Sequence, residues 1–156
     1  MTALELVKSD NPRVAVTVKM VRDQLRDYPK YNEIVKYELT DDEIADNIIN
    51  AIAEFNAASP YMSNFDPKNF PDRKLLLDMS IVECLEILYT WHARNQFSAS
   101  DAGLQIPIHE QWEPLMRISE TMRLRTDRRV KELKTQLNIR NGWGDGVGSP
   151  IGWWGL

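Results

Sequence analysis

The sequence predicts an all-α fold: a four-helix bundle-like domain with a long C-terminal helix and an extended C-terminal arm. Three observations predict it. Apolar residues recur at three- and four-residue steps over most of the 156 residues, the period of a helix with one buried face. Helix start and stop signals bracket those stretches. Six of the seven glycines lie beyond residue 141, so that Gly103 alone interrupts everything before them. The expected division is a bundle over residues 1–140 and an arm over 141–156.

The first helix is expected from Pro12 to Tyr28, with Asn11 as N-cap and Pro12 in the tolerated first turn. Val14, Val18, Val21, Leu25 and Tyr28 make its apolar stripe, and Pro29 ends it. A connector follows from Lys30 to Leu39, with room for a short extended piece at Ile34 to Tyr37. The second helix spans Asp41 to Ala57. Thr40 and Glu43 form a capping box, and the acids of the first turn suit the positive end of the helix dipole. Ile44, Ile48, Ile52 and Phe55 form its buried stripe, with Ala45 and Ala51 allowing close approach. In the loop PYMSNFDPKNFP, Tyr61, Phe65 and Phe70 are expected to pin the chain to the bundle.

The third helix, Asp72 to Asn95, is apolar on nearly every face, which places it at the centre. A loop with a turn at Asp101-Ala102-Gly103 leads to the fourth helix, which starts near Ile108 or Glu113 and runs to Leu137. Pro114 is tolerable there only in the first turn. Trp112, Leu115, Met116, Met122, Val130, Leu133 and Leu137 give it a thin stripe that Ser119 and Thr126 interrupt, so the helix is expected to project past the bundle.

Charge is distributed unevenly. The net charge is −4, yet eight basic and three acidic residues lie between Arg117 and Arg140, a surplus of +5. Such asymmetry favours head-to-tail contact between copies or contact with a polyanion, and a solvated helix face is the alternative. Cys84 is the sole cysteine, so no internal disulfide forms. No apolar run reaches the roughly 20 residues needed to span a bilayer, and MTALELVKSD lacks the basic-then-apolar pattern of a signal peptide.

Signatures of chemistry are missing from the sequence. His92, His109 and Cys84 show no zinc spacing. Asp41, Asp42, Glu43 and Asp46 lack the alternation and glycine of a calcium loop and read as helix capping. GWGDGVG has neither a preceding strand nor a following Lys-Ser or Lys-Thr. The expectation is a protein without enzymatic activity, cofactor or metal.

The arm, NGWGDGVGSPIGWWGL, carries the functional expectation. Ordering it costs roughly 1–2 kcal/mol per residue. Its three tryptophans return at most about 4–6 kcal/mol each. It therefore orders only when nearly every apolar residue finds a pocket and the backbone gains partners; docking on another subunit is the expectation, and packing on its own body or disorder are the alternatives. Trp143, Ile151, Trp153, Trp154 and Leu156 are the expected docking residues, and Gly142, Gly144, Gly146 and Gly148 the expected hinge. Arg128, Lys131, Lys134 and Arg140 are expected to orient the arm on an acidic partner face.

LTDDEIADNIINAIAEFNAASP, then LLLDMSIVECLEILYTWHARNQF, then SDAG, then a long basic helix ending in LNIRNGWG, together resemble the head–tail connector proteins of tailed bacteriophages, called adaptors or head-completion proteins. The resemblance covers about Tyr31 to Gly144 and consists of helix starts and apolar spacing. It implies a virion neck protein, assembled in the host cytoplasm as a twelvefold ring of copies beneath the portal protein. The ring extends the channel through which DNA passes without sequence recognition, and it offers a face to the tail or the next neck protein. It further implies that the C-terminal extension, here Asn141 to Leu156, inserts into the portal. The alternatives are another tail or baseplate structural protein, and a cytoplasmic nucleic-acid-binding regulator that uses the basic helix. No membrane partner is expected.

Overall fold

In the computed structural model, the described residues are 16–32, 36–61, 64–94, 100–101, 104–105 and 112–143. They form an all-α fold whose helices are α1 (Val18–Leu25), α2 (Asp41–Ala57), α3 (Arg73–Arg94) and α4 (Trp112–Trp143). Two short strands, β1 (Ser100–Asp101) and β2 (Leu104–Gln105), pair antiparallel in the α3–α4 connection, with Ser100 opposite Gln105. Asp101 of the expected turn closes β1, and Ala102 and Gly103 lie outside the described residues.

Helix α3 touches each of the other three helices, and α4 packs chiefly along it. Its fully buried residues include Leu75, Leu76 and Cys84, which meet Ile44, Ile48 and Phe55 of α2 and Val21 of α1 in one core. The central position expected of α3 is observed for its first four turns. Towards its C-terminal end Ile87 and Trp91 are exposed, so the apolar coat continues past the part that is covered. Asp72 starts the helix, its carboxylate accepting from the Lys74 and Leu75 backbone N–H groups.

Helix α1 is shorter than expected. Thr17 is its N-cap, with the side-chain hydroxyl accepting from the Met20 N–H, and Arg26 ends it in the left-handed region at φ 56°. Tyr28 therefore lies outside the helix. Asn11, Pro12 and Val14 lie outside the described residues, as do Ile34 and Val35 of the Ile34–Tyr37 piece. Helix α2 matches the expectation at both ends. The Thr40 hydroxyl accepts from the Glu43 N–H at 3.2 Å, and the Glu43 carboxylate accepts from the Thr40 N–H at 2.7 Å.

Two of the three loop aromatics behave as pins. Phe55 meets Phe65 and Phe70 edge-on, with ring centres 5.6 and 4.7 Å apart. Tyr61 does not, for 81% of it is exposed. Asn56 fixes this loop instead, bonding to both the N–H and the carbonyl of Phe65 at 2.9 Å.

Helix α4 runs for 32 residues, or ~48 Å at 1.5 Å per residue. Pro114 occupies its first turn, where a missing N–H costs nothing. Ser119 and Thr126 do not interrupt its stripe. They are buried within it, in the sequence Leu115, Ser119, Met122, Thr126, Val130, Leu133, Leu137. Small residues at these places let α4 lie close against α3. The Thr126 hydroxyl satisfies itself by donating to the Arg123 carbonyl. The helix also passes the expected boundary at residue 140 and continues through Asn141 and Gly142 to Trp143. Residues 138–142 are exposed, which agrees with a helix that outruns its bundle.

Candidate functional site

The basic residues of α4 divide by helical angle into those that face the bundle and those that face away. Arg123, beside the buried seam, reaches across to α2 and α3. Its guanidinium lies 2.9 Å from Glu54, 3.1 Å from Glu83 and 2.7 Å from Glu86. Burial works against the charge of Arg123, but the hydrogen bond to Glu86 and the field of three carboxylates outweigh it and hold its pKa above the usual value. Glu83 feels the opposite. Burial and the neighbouring Glu54 raise its pKa, because one guanidinium cannot neutralise three carboxylates.

On the other flank Arg129 donates to Asp72 at 3.0 Å and to Asp78 at 3.3 Å, and Asp78 also accepts from Lys74. Lys134 is 1% exposed. Its ammonium donates to the Asn56 carbonyl at 3.2 Å and to the Ala58 carbonyl, and it stands 5.0 Å from the Phe55 ring centre. These carbonyls lie at the C-terminal end of α2, where the helix dipole favours a cation. Burial lowers the Lys134 pKa. The expectation that Lys134 orients the arm on a partner is therefore corrected: its charge is used inside its own chain.

Arg128 and Lys131 keep the expected exposure. Arg128 pairs with Glu132 at 3.0 Å along the helix, and Arg117 with Glu113 at 3.7 Å. Both pairs are exposed, so each is worth less than about 1 kcal/mol. Arg140 is exposed on the last turns. Leu124, 74% exposed, stands on the same outward face as Arg128 and Lys131. Arg123, Arg129 and Lys134 are thus matched across the fold, and the surplus open to a polyanion is smaller than the sequence suggests.

Gly142 is helical, and a methyl group placed on its Cα would meet nothing within 4 Å, so neither its backbone nor its surroundings require glycine. Its role as a hinge is corrected to that of a residue within the last turn of α4. Trp143 closes that turn. Gly144, Gly146, Gly148, Ile151, Trp153, Trp154 and Leu156 lie outside the described residues.

A groove between α2 and α3 was not foreseen from the sequence. Asn47 and Asn50 of α2, with Glu83, Glu86, Ile87, Thr90, Trp91 and Arg94 of α3, line a volume of about 450 Å³. Among the lining residues, Asn47 is buried and donates to Cys84 Sγ at 3.5 Å. Burial pushes the Cys84 thiol up to about 12, so it stays protonated and unreactive at neutral pH. His92, just beyond, sits 3.7 Å from Glu38. The legible signal was the excess of apolar residues at the end of α3, where Ile87 and Trp91 exceed what its neighbours cover.

Among the described residues no group of three or more His, Cys, Asp or Glu side chains is placed to hold a metal ion, and no helix is long and apolar enough to cross a membrane. In comparison with known proteins, the chain matches no family model, no curated protein and no solved structure.

Proposed function

We propose that this chain is a structural virion protein, a neck adaptor of a tailed bacteriophage whose copies form a ring joining the portal protein to the tail and extending the DNA channel. The observation that carries this reading is α4. It is the longest helix among the described residues, it is held to the bundle by a narrow seam, and its last turns stand exposed where the chain leads into a glycine- and tryptophan-rich segment. A rigid rod ending in apolar anchors suits attachment to a second molecule better than it suits catalysis. Repetition in a ring multiplies a contact that one copy alone makes weakly.

The test is truncation after Arg140, with portal protein from the same phage as bait in a pull-down. The truncated chain should keep its helical circular dichroism and its melting transition, because the core formed by the described residues lies within residues 16–137. It should lose attachment. Retained attachment overturns the role of the arm, and failure of the intact chain to bind the portal overturns the adaptor reading.

A further inference from the structure

At and beside the groove between α2 and α3, carboxylates outnumber the cations placed against them among the described residues. Glu54, Glu83 and Glu86 share the single guanidinium of Arg123, and Arg94 stands on the rim. Asp46, exposed on the outer side of α2, has no ion-pair partner among the described residues. The groove also presents apolar surface, with Ile87 40% and Trp91 50% exposed.

A complementary surface exists on the same molecule. The outward face of α4 places Leu124 between Arg117, Arg128 and Lys131 at helical spacings of seven, four and seven residues. Lys131 has no ion-pair partner among the described residues, and the exposed Arg128–Glu132 pair is cheap to exchange. This face is turned away from α3, so it does not overlap the groove. The glycine-rich arm fits the groove poorly, because Asp145 is the sole charged side chain in residues 144–156 and has the wrong sign.

We propose that the α2–α3 groove of one copy receives the outward face of α4 of a second copy, with Leu124 against Ile87 and Trp91, and with Arg128 and Lys131 towards Asp46, Glu83 and Glu86. The inference rests on the reading of the chain as a ring-forming protein and names the surface that builds the ring. Each copy carries one groove and one α4 face. The contact is therefore heterologous, and such contacts close into rings when the rotation per copy permits. The charges orient the approach, and the apolar groups supply the burial.

The experiment mixes full-length chains carrying Leu124→Cys with chains carrying Ile87→Cys and adds a short bismaleimide. Native Cys84 is fully buried and does not compete. Sedimentation velocity on the unmodified chain runs alongside. The expected result is self-association together with 87–124 cross-links in clear excess over 87–87 and 124–124 links. Adding Arg128→Glu and Lys131→Glu to the Leu124→Cys chain should cut the 87–124 yield about tenfold or more, as like charges then face each other. Both α4 charges are exposed, so the fold should survive, which circular dichroism checks. Self-association with 124–124 or 87–87 links dominant overturns this surface and leaves the ring reading standing. A chain that stays monomeric at every concentration overturns both.

Discussion

Arg22 and Asp27 form a buried ion pair, Nη1 to Oδ2 at 2.7 Å, that ties the end of α1 to the start of α2. The two side chains are only 7% and 2% exposed. Asp27 also accepts from the Glu38 and Leu39 backbone N–H groups and from Asn32 Nδ2. Arg22 donates to the Leu39 carbonyl and to Asp41, and it lies 4.4 Å from the Tyr37 ring centre. The described parts of this connection converge on the charge pair, with Leu39 buried in the core beside it. Asp27→Ala should cost about 3–5 kcal/mol, because it removes the buried carboxylate beside the guanidinium, which keeps only Asp41 and two carbonyls, and strips the Glu38 and Leu39 N–H groups of their acceptor. The Arg22→Met, Asp27→Ala double variant should lose less than the two single losses added. Urea unfolding of all four chains measures the difference, and strict additivity would rule out the pair as a unit.

Lys134 and the end of α2 give a second test. Lys134→Met keeps most of the buried stem but removes the donor to Asn56 and Ala58. A loss of about 1.5–3 kcal/mol is expected from the charge-assisted bonds. Lys131→Met, one turn away and exposed, should change stability by less than about 0.5 kcal/mol. Equal effects at the two positions would contradict the burial of Lys134.

The carboxylates around Arg123 make a prediction about pH. Glu83 is raised above its ordinary 4.5, first by burial and then by Glu54. A carboxyl with a raised folded-state pKa binds its proton more tightly when folded, so its favourable contribution is complete below 4.5 and fades as pH rises through the folded value. Glu83→Gln should therefore equal or exceed the unmodified chain in melting temperature at pH 7. Its relative advantage should shrink as pH falls towards 4.5. A growing advantage on acidification would reverse the sign and refute this account.

The seam between α3 and α4 depends on small residues. Ser119 is 2% exposed, and Ser119→Leu should overpack the seam at a cost of about 1–3 kcal/mol. Leu124→Ser on the opposite face should be nearly neutral for the isolated chain. A thermal melt of each variant separates the two faces of one helix.

Gly142→Ala tests the end of α4. With open space around the Cα and a helical backbone, alanine should favour the last turn by about 0.5–1 kcal/mol, read as slower amide exchange over residues 138–142. Attachment to the portal should be unchanged. Lost attachment with a longer-lived helix would restore Gly142 as a hinge.

The four helices among the described residues, the capping box at Thr40 and Glu43, and the central place of α3 were legible because they rest on local chemistry and periodicity. Other features were not. Ser119 and Thr126 read as gaps in a stripe until α3 lay close enough to cover them. Lys134 and Arg123 read as members of one basic face, because sequence gives the angle around α4 but not which neighbour waits there. Gly142 read as a breaker, although a glycine costs a helix only about 1 kcal/mol and the preceding turns carry it.

By itself, then, the sequence determined where α2 and α3 begin, which faces are apolar, and that the last segment is rich in glycine and tryptophan. Tertiary structure decided which charges remain available. Arg123, Arg129 and Lys134 are matched to carboxylates and carbonyls of α2, α3 and their connections, while Arg128 and Lys131 stay in solvent. The physical reason is that a charge's role depends on what lies within a few ångströms of it, and residues 40 to 78 positions apart along the chain become neighbours only on folding.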